Sequence, residues 1–563
     1  MIRARRLLPA LVALVLLAGC ASLPTDGQVH PGVEAGQDEG VGYVVADDPQ
    51  PGDDPAQMMH GFQTAAVAGI ADDFNTARKF LTQPTRAEWD PAAQVVIYDG
   101  SAPLTYDDSV EGTLEIGATV VATVDSDGVY TQAAPGTTAT MTYELVTDPA
   151  GEWRISELPD GVLMSEVNFA TLYRKTPLYF LSSDGSAMVP DLRWYPTRNS
   201  ATYAVRGLMA GAAEWLAPSV ISAIPDGTEL SIDSVTVSGG VATVPLTAAV
   251  QTASATDRAL LVRQIERTLT ALPQVQGVEV TVGDVPLEVN AAPPTLRVNP
   301  GVGRTMTVLT DDDVLATYNS SEVEEVADAA DLSSVDPADP AVSYQSEQAA
   351  GEQTVLLAGH TELVTAPSAD AGATVLVQGT NLLAPSYAWN GWIWTGEKDN
   401  DGELLIASAQ GNVQSIETPA LAGMQVRAIR VSRDGARLAV VVDADGAVQV
   451  LVHAITVDAD GTPTGLGPPL QVGRELTDAT DMVWVDETQL AVLGVSETAT
   501  TVHVVEVGGR TTPLPSVPDT VRVASGRGVR DLYLATEDGT LFGRSGNGWA
   551  PVATGVHYPT FPG

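Results

Sequence analysis

Between Met58 and Leu81 the apolar residues Met58, Phe62, Ala66, Ile70, Phe74, Ala77 and Leu81 recur at spacings of three and four. That period puts them on one face of a long helix, and Pro84 marks its end. The pattern then changes to alternation. Ala93–Tyr98, Ser109–Val124, Thr137–Val146 and Glu152–Glu157 read as strands. Asp-Gly pairs at 99–100 and 127–128 are expected to join them as hairpins. A helix followed by a meander predicts a small α+β domain over residues 56–160.

Its sheet should wrap the helix, which resembles the cone-shaped NTF-type fold. A second α+β unit is predicted over 167–290. Leu178–Ser182 and Ala187–Trp194 are strands turned by Asp184-Gly185, and Thr202–Leu216 is a helix ended by Pro218. Leu230–Val237 and Ala242–Leu246 form a hairpin over Ser238-Gly239-Gly240. Asp257–Leu272 is amphipathic, with Leu261, Ile265, Leu269 and Leu272 inward and Arg258, Arg263, Glu266 and Arg267 outward. Val278–Val282 closes the sheet. After the linker Ala291-Ala292-Pro293-Pro294, residues 295–563 show strands and turns with almost no helical period. Apolar strands begin at Leu438, Leu490 and Leu532, at intervals of 52 and 42 residues. All-strand units of about 40–50 residues predict a β-propeller. The length admits five or six blades, and a pair of β-sandwiches is the competing architecture.

The N-terminus changes the picture from a soluble body to an anchored one. Arg3, Arg5 and Arg6 precede an apolar run over 7–18, and Leu17-Ala18-Gly19-Cys20 follows. Charge, a short apolar run and small residues form a secretory signal over 1–19. The run is too short for a span, which needs about 20 apolar residues. The ending matches the bacterial lipobox, in which the cysteine carries diacylglycerol and becomes the new N-terminus. Cys20 is the only cysteine, so no disulfide or cysteine metal site is expected in the mature body. The expected address is the outer face of the cell membrane, through lipid on Cys20. Residues 21–55 hold no Lys or Arg, eight acidic residues, five Pro and six Gly. Such a segment cannot bury a core and reads, with Cys20, as an acidic flexible tether over 20–55.

Formal charge is −43, and loss of the three signal arginines takes it to −46. That field argues against nucleic acid as a partner. There is no His-Glu-x-x-His, Gly-x-Ser-x-Gly, Ser-x-x-Lys or P-loop pattern. The six histidines, at 30, 60, 360, 453, 503 and 557, show no ligand spacing. Asp-x-Asp-Gly occurs at 125–128, 399–402, 443–446 and 458–461. None has the glycine and glutamate positions of an EF-hand loop, and tight turns need the same residues. No catalytic, metal-binding or cofactor-binding set is therefore singled out. Trp389, Trp392 and Trp394 fall within six residues. They are read either as blade core and rim or as aromatic anchors for a partner.

These parts resemble the actinobacterial LpqB lipoproteins over nearly the full length. The resemblance is carried by Ala77-Arg78-Lys79-Phe80-Leu81-Thr82 with Trp89, and by Gly151-Glu152-Trp153-Arg154-Ile155-Ser156. Leu178-Tyr179-Phe180 with Val189-Pro190-Asp191 looks like the start of the second domain. A GerMN signature is visible in Ala223-Ile224-Pro225-Asp226-Gly227-Thr228 and in Gln264-Ile265 with Thr268-Leu269-Thr270. The resemblance implies an NTF-like domain, a GerMN domain and a C-terminal propeller. It implies a non-enzymatic protein that contacts the extracellular sensor part of an MtrB-like histidine kinase and tunes signalling in envelope homeostasis and division. It supplies no catalytic residues. The rival readings are a wall-glycan or peptidoglycan-binding module and an envelope enzyme.

Overall fold

The computed structural model describes residues 46–320, 322–326, 330–344, 354–368, 372–496 and 500–563. The signal, Cys20 and most of the acidic segment lie outside the described residues.

The expected long helix is broken. Pro55–Ala68 is helical, and the chain then turns through Gly69–Ala71 before the short helices Asn75–Arg78 and Gln83–Glu88. The Asp54 carboxylate accepts the Gln57 amide at the first helix's start. The break is local chemistry. Asp73 and Phe74 adopt left-handed backbone, the Asp72 carboxylate accepts the Thr76 amide and hydroxyl, and the Phe74 ring lies where a Gly69 side chain would be. Pro84 opens the last helix instead of closing the first.

Around these helices curves a sheet in the order Trp153–Glu157, Thr138–Thr147, Thr113–Asp125, Gln94–Tyr98, Val162–Ser165. The turn at 127–128 makes the expected hairpin, with Tyr130–Gln132 returning on Thr113–Asp125. The turn at 99–100 does not. Gln94–Tyr98 and Thr105–Asp107 both pair with the long strand, at Tyr98↔Val120 and Thr105↔Gly117.

In the second unit Tyr173–Ser182 and Met188–Pro196 form a long antiparallel ribbon. Ser200–Ala210 is helical and stops at Gly211, whose φ of 97° suits glycine, six residues before the predicted end at Leu216. Ala255–Leu269 is helical and buries Leu261, Ile265 and Leu269. The second sheet runs Thr236–Ser238, Val241–Leu246, Gly277–Val282, Val285–Pro286. The expected strand over 230–237 is thus cut to three residues, with Leu230 only bridging Leu246.

The remaining described residues form six four-stranded sheets. The innermost strands are Val556–Thr560, Pro337–Val342, Ser386–Tyr387, Gln425–Val431, Asp478–Trp484 and Thr520–Ser525. Each touches the next and the last returns to the first, so the sheets are blades 1–6 of a closed propeller. Blade 1 takes three strands from Met306–Glu325 and its innermost strand from Val556–Thr560, at Thr307↔Thr560 and Thr310↔Val556. Joining the two ends of the repeat leaves no unpaired edge at the seam. Tight turns follow the expected chemistry: Asp445 and Gly446 both have positive φ and close the Ala444↔Ala447 hairpin of blade 4.

Candidate functional site

The three tryptophans separate. Trp394 is fully buried in the core between blades 3 and 4, so it is a packing residue that no partner reaches. Trp389 is half-buried, with Tyr344 at 4.9 Å between ring centroids and the Arg297 guanidinium at 5.0 Å over its face. Trp392 is half-buried and lines an open cleft on blade 3. The four Asp-x-Asp-Gly segments act as turns or tie neighbouring strands. Asp125 accepts the amides of Asp127 and Val129, and Asp458 those of Asp460 and Thr462. Among the described residues no cluster of three or more His, Cys, Asp or Glu could hold a metal. His453 and His503 are buried in the propeller, and burial pushes both below the usual histidine pKa.

Sequence reasoning missed two constellations. The first is the propeller channel, lined by charges from successive inner strands. Arg430 of blade 4 pairs with Asp481 of blade 5 at 3.4 Å. The second Asp481 oxygen accepts the Val523 amide of blade 6 at 3.0 Å. Arg522 of blade 6 pairs with Asp339 of blade 2 at 2.9 Å and lies over Tyr558 of blade 1. Burial alone would lower the Arg522 pKa, but Asp339 and Asp481 outweigh it and hold it up. Arg433 is buried and donates to the carbonyls of Gly526, Trp484 and Ser525 at 2.7–3.4 Å. These bonds stitch blades that share no sheet ladder.

The second constellation joins the domains. Trp194, in the GerMN-like ribbon, packs its indole 5.0 Å from Phe169 and 5.5 Å from Tyr130 in the N-terminal core. Its backbone amide donates to Gly128 at 2.8 Å, and its Nε1 donates to Gly508 of blade 5 at 3.0 Å. Beside it Arg193 and Asp191 form a buried pair at 2.7 Å. Arg193 also donates to the Asp127 carbonyl and Asp191 accepts the Ala213 amide, both at 2.8 Å. Farther along, Glu487 of blade 5 accepts from the Tyr179 hydroxyl and from Arg267 at 3.1 Å. Lys175 pairs with Glu506, and Gln132 bridges Glu475 and Thr511. The GerMN core and the space between blades 4 and 5 form one continuous apolar cluster. Buried polar groups matched across all three domains hold them as one body.

Comparison with known proteins follows the same division. Residues 48–170 match the family model for the lipoprotein LpqB N-terminal domain, 177–288 the Germane model (sporulation and spore germination), and 313–562 the lipoprotein LpqB beta-propeller domain. The chain is 27% identical to lipoprotein LpqB of Thermobifida fusca (strain YX) over 551 residues, covering 86% of each. It is 29% identical to lipoprotein LpqB of Streptomyces coelicolor over 587 residues, covering 94% of this chain and 92% of that one. A crystal structure of TolB from Acinetobacter baumannii superposes with a TM-score of 0.35 at 11% identity, over 71% of this chain and 90% of that one. Among the described residues no helix is long and apolar enough to cross a membrane.

Proposed function

The chain belongs to the LpqB family of lipoproteins, and from that premise we propose that it is an anchored docking platform for the extracytoplasmic sensor region of an MtrB-like histidine kinase. Lipid on Cys20 holds it at the outer face of the membrane. The role is modulation by contact, without chemistry of its own.

The observation that carries this reading is the welding of three domains at Trp194. Domain interfaces within one chain are commonly mobile. Here one side chain packs in the N-terminal core, sits in the GerMN-like ribbon and hydrogen-bonds the propeller. A rigid body offers a wide surface without an ordering cost on binding. Anchoring both partners in one membrane raises their effective concentration, so a modest interface suffices.

The test is crosslinking in intact cells. Apart from Cys20 the chain has no thiol, so Asp226→Cys in the GerMN-like domain and Asp460→Cys in blade 4 each introduce one exposed, selective handle. Capture of a sensor kinase from either position is expected. Failure of both to capture one, with the variants present at the membrane, would overturn the reading.

A further inference from the structure

We propose that the cleft on blade 3 is a binding site for a neutral carbohydrate chain of hexose or N-acetylhexosamine units. The cleft lies between two turns at one end of the blade, 388–392 and 408–412. Its cavity volume is about 380 Å³, toward the lower end of the range of small-ligand sites, about 300–1,000 Å³.

Its lining is what selects the ligand. The walls are Tyr387, Asn390, Trp392, Ser408, Gln410 and Asn412, with Gly391 and Ala409 between them. None is charged, although the chain carries 71 acidic residues. Cations and anions therefore find no counter-charge in the walls. A half-buried indole supplies an apolar, electron-rich face. The ring C–H groups of a pyranose are apolar and slightly positive, and they match such a face.

Amides and hydroxyls beside the indole can donate to and accept from sugar hydroxyls. The side chains of Gln410 and Asn412 are exposed and make no hydrogen bond among the described residues, so they are free to do so. The Tyr387 hydroxyl is buried and has no partner, a second sign of an unfilled polar requirement beside the cleft.

The frame is fixed. The Asn390 side chain accepts the Trp392 amide at 3.3 Å and donates to Gly461 of blade 4 at 3.4 Å. Ser408 and Asn412 close the other turn through Ser408 N to Asn412 O at 2.9 Å and Asn412 N to Ser408 Oγ at 3.2 Å.

The test is isothermal titration of the full chain, in detergent, with chitotriose and separately with maltotriose. Saturable binding of either supports the site, and which one binds tells N-acetylhexosamine from hexose. Trp392→Ala is expected to weaken it about tenfold or more, as loss of a stacking aromatic does. Gln410→Ala and Asn412→Ala change exposed side chains, keep the fold, and are expected to weaken it about threefold each. Absence of binding by the parent chain to both sugars would overturn the proposal. So would parent-like affinity in Trp392→Ala or in the Gln410→Ala/Asn412→Ala double variant.

Discussion

Replacing Trp194 by Ala should uncouple the three domains. The cost can be assembled from the contacts. Truncating a buried Trp to Ala costs about 3–5 kcal/mol, and the indole here is 6% exposed. Its ring contacts with Phe169 and Tyr130 are worth about 0.5–1.5 kcal/mol each beyond area. These terms overlap, so the total is about 4–6 kcal/mol. Trp194→Phe separates them. It keeps most packing and chiefly loses the bond to the buried Gly508 carbonyl, which is left unpaired at a cost of about 1–3 kcal/mol.

The assay is calorimetry joined to amide exchange. The parent should unfold its described body in one transition. Trp194→Ala should split or broaden it and speed exchange both near Gly128, whose carbonyl accepts the Trp194 backbone amide, and over residues 505–511, around the Gly508 carbonyl that accepts the indole N–H. Trp194→Phe should speed exchange over 505–511 only. A single transition within about 1 °C of the parent in Trp194→Ala, far below the shift such a loss implies, would refute the keystone role.

Other expectations follow from the same packing. Asp191→Asn removes one partner of the buried Arg193 pair and should cost about 3–5 kcal/mol, read as a lowered urea midpoint; a change below about 1 kcal/mol contradicts a buried ion pair there. Trp394→Ala, in the core, should destabilise the propeller by about 3–5 kcal/mol, whereas half-buried Trp392→Ala should cost clearly less in the same melt. Burial lowers the folded pKa of His453 and His503 from the ordinary 6.5. The unfolded chain then takes up protons first as pH falls, so their contribution is complete above about pH 6.5 and is lost below it. Urea midpoints at pH 7.5 and 5.5 should diverge more in the parent than in a His453→Gln/His503→Gln variant, and equal divergence contradicts this assignment.

How much of this was legible depended on whether the cause was local. Leu261, Ile265 and Leu269 repeat with the helical period and form one buried stripe in Ala255–Leu269. Leu438–Val442 and Leu490–Leu493 are continuous apolar runs and form the second strands of blades 4 and 5, because those strands are buried on both faces. The break after Ala68 was missed because the 3–4 spacing continues across it; Asp72 lying four residues before Thr76 was the available local signal. The blade number depended on Val556–Thr560 pairing with Met306–Thr310, a contact across the whole propeller sequence. Trp194, Glu487 and the Arg430–Asp481 and Arg522–Asp339 pairs are ordinary residues in sequence. They gain their roles from registers between domains and blades, which no local pattern encodes. The tryptophan cluster shows the converse: three similar residues within six positions go to a core, a half-buried place beneath the Arg297 guanidinium and an open cleft.

The anchored-platform account is tested most directly by kinase autophosphorylation in vesicles containing the sensor kinase, with the acylated chain or its Cys20→Ala form added. The account predicts that the acylated chain changes the rate at a concentration at least about tenfold lower than the Cys20→Ala form, since tethering multiplies effective concentration by about 10²–10⁴ without new contacts. An unchanged rate with the acylated chain at every concentration, or equal potency of the two forms, would contradict it.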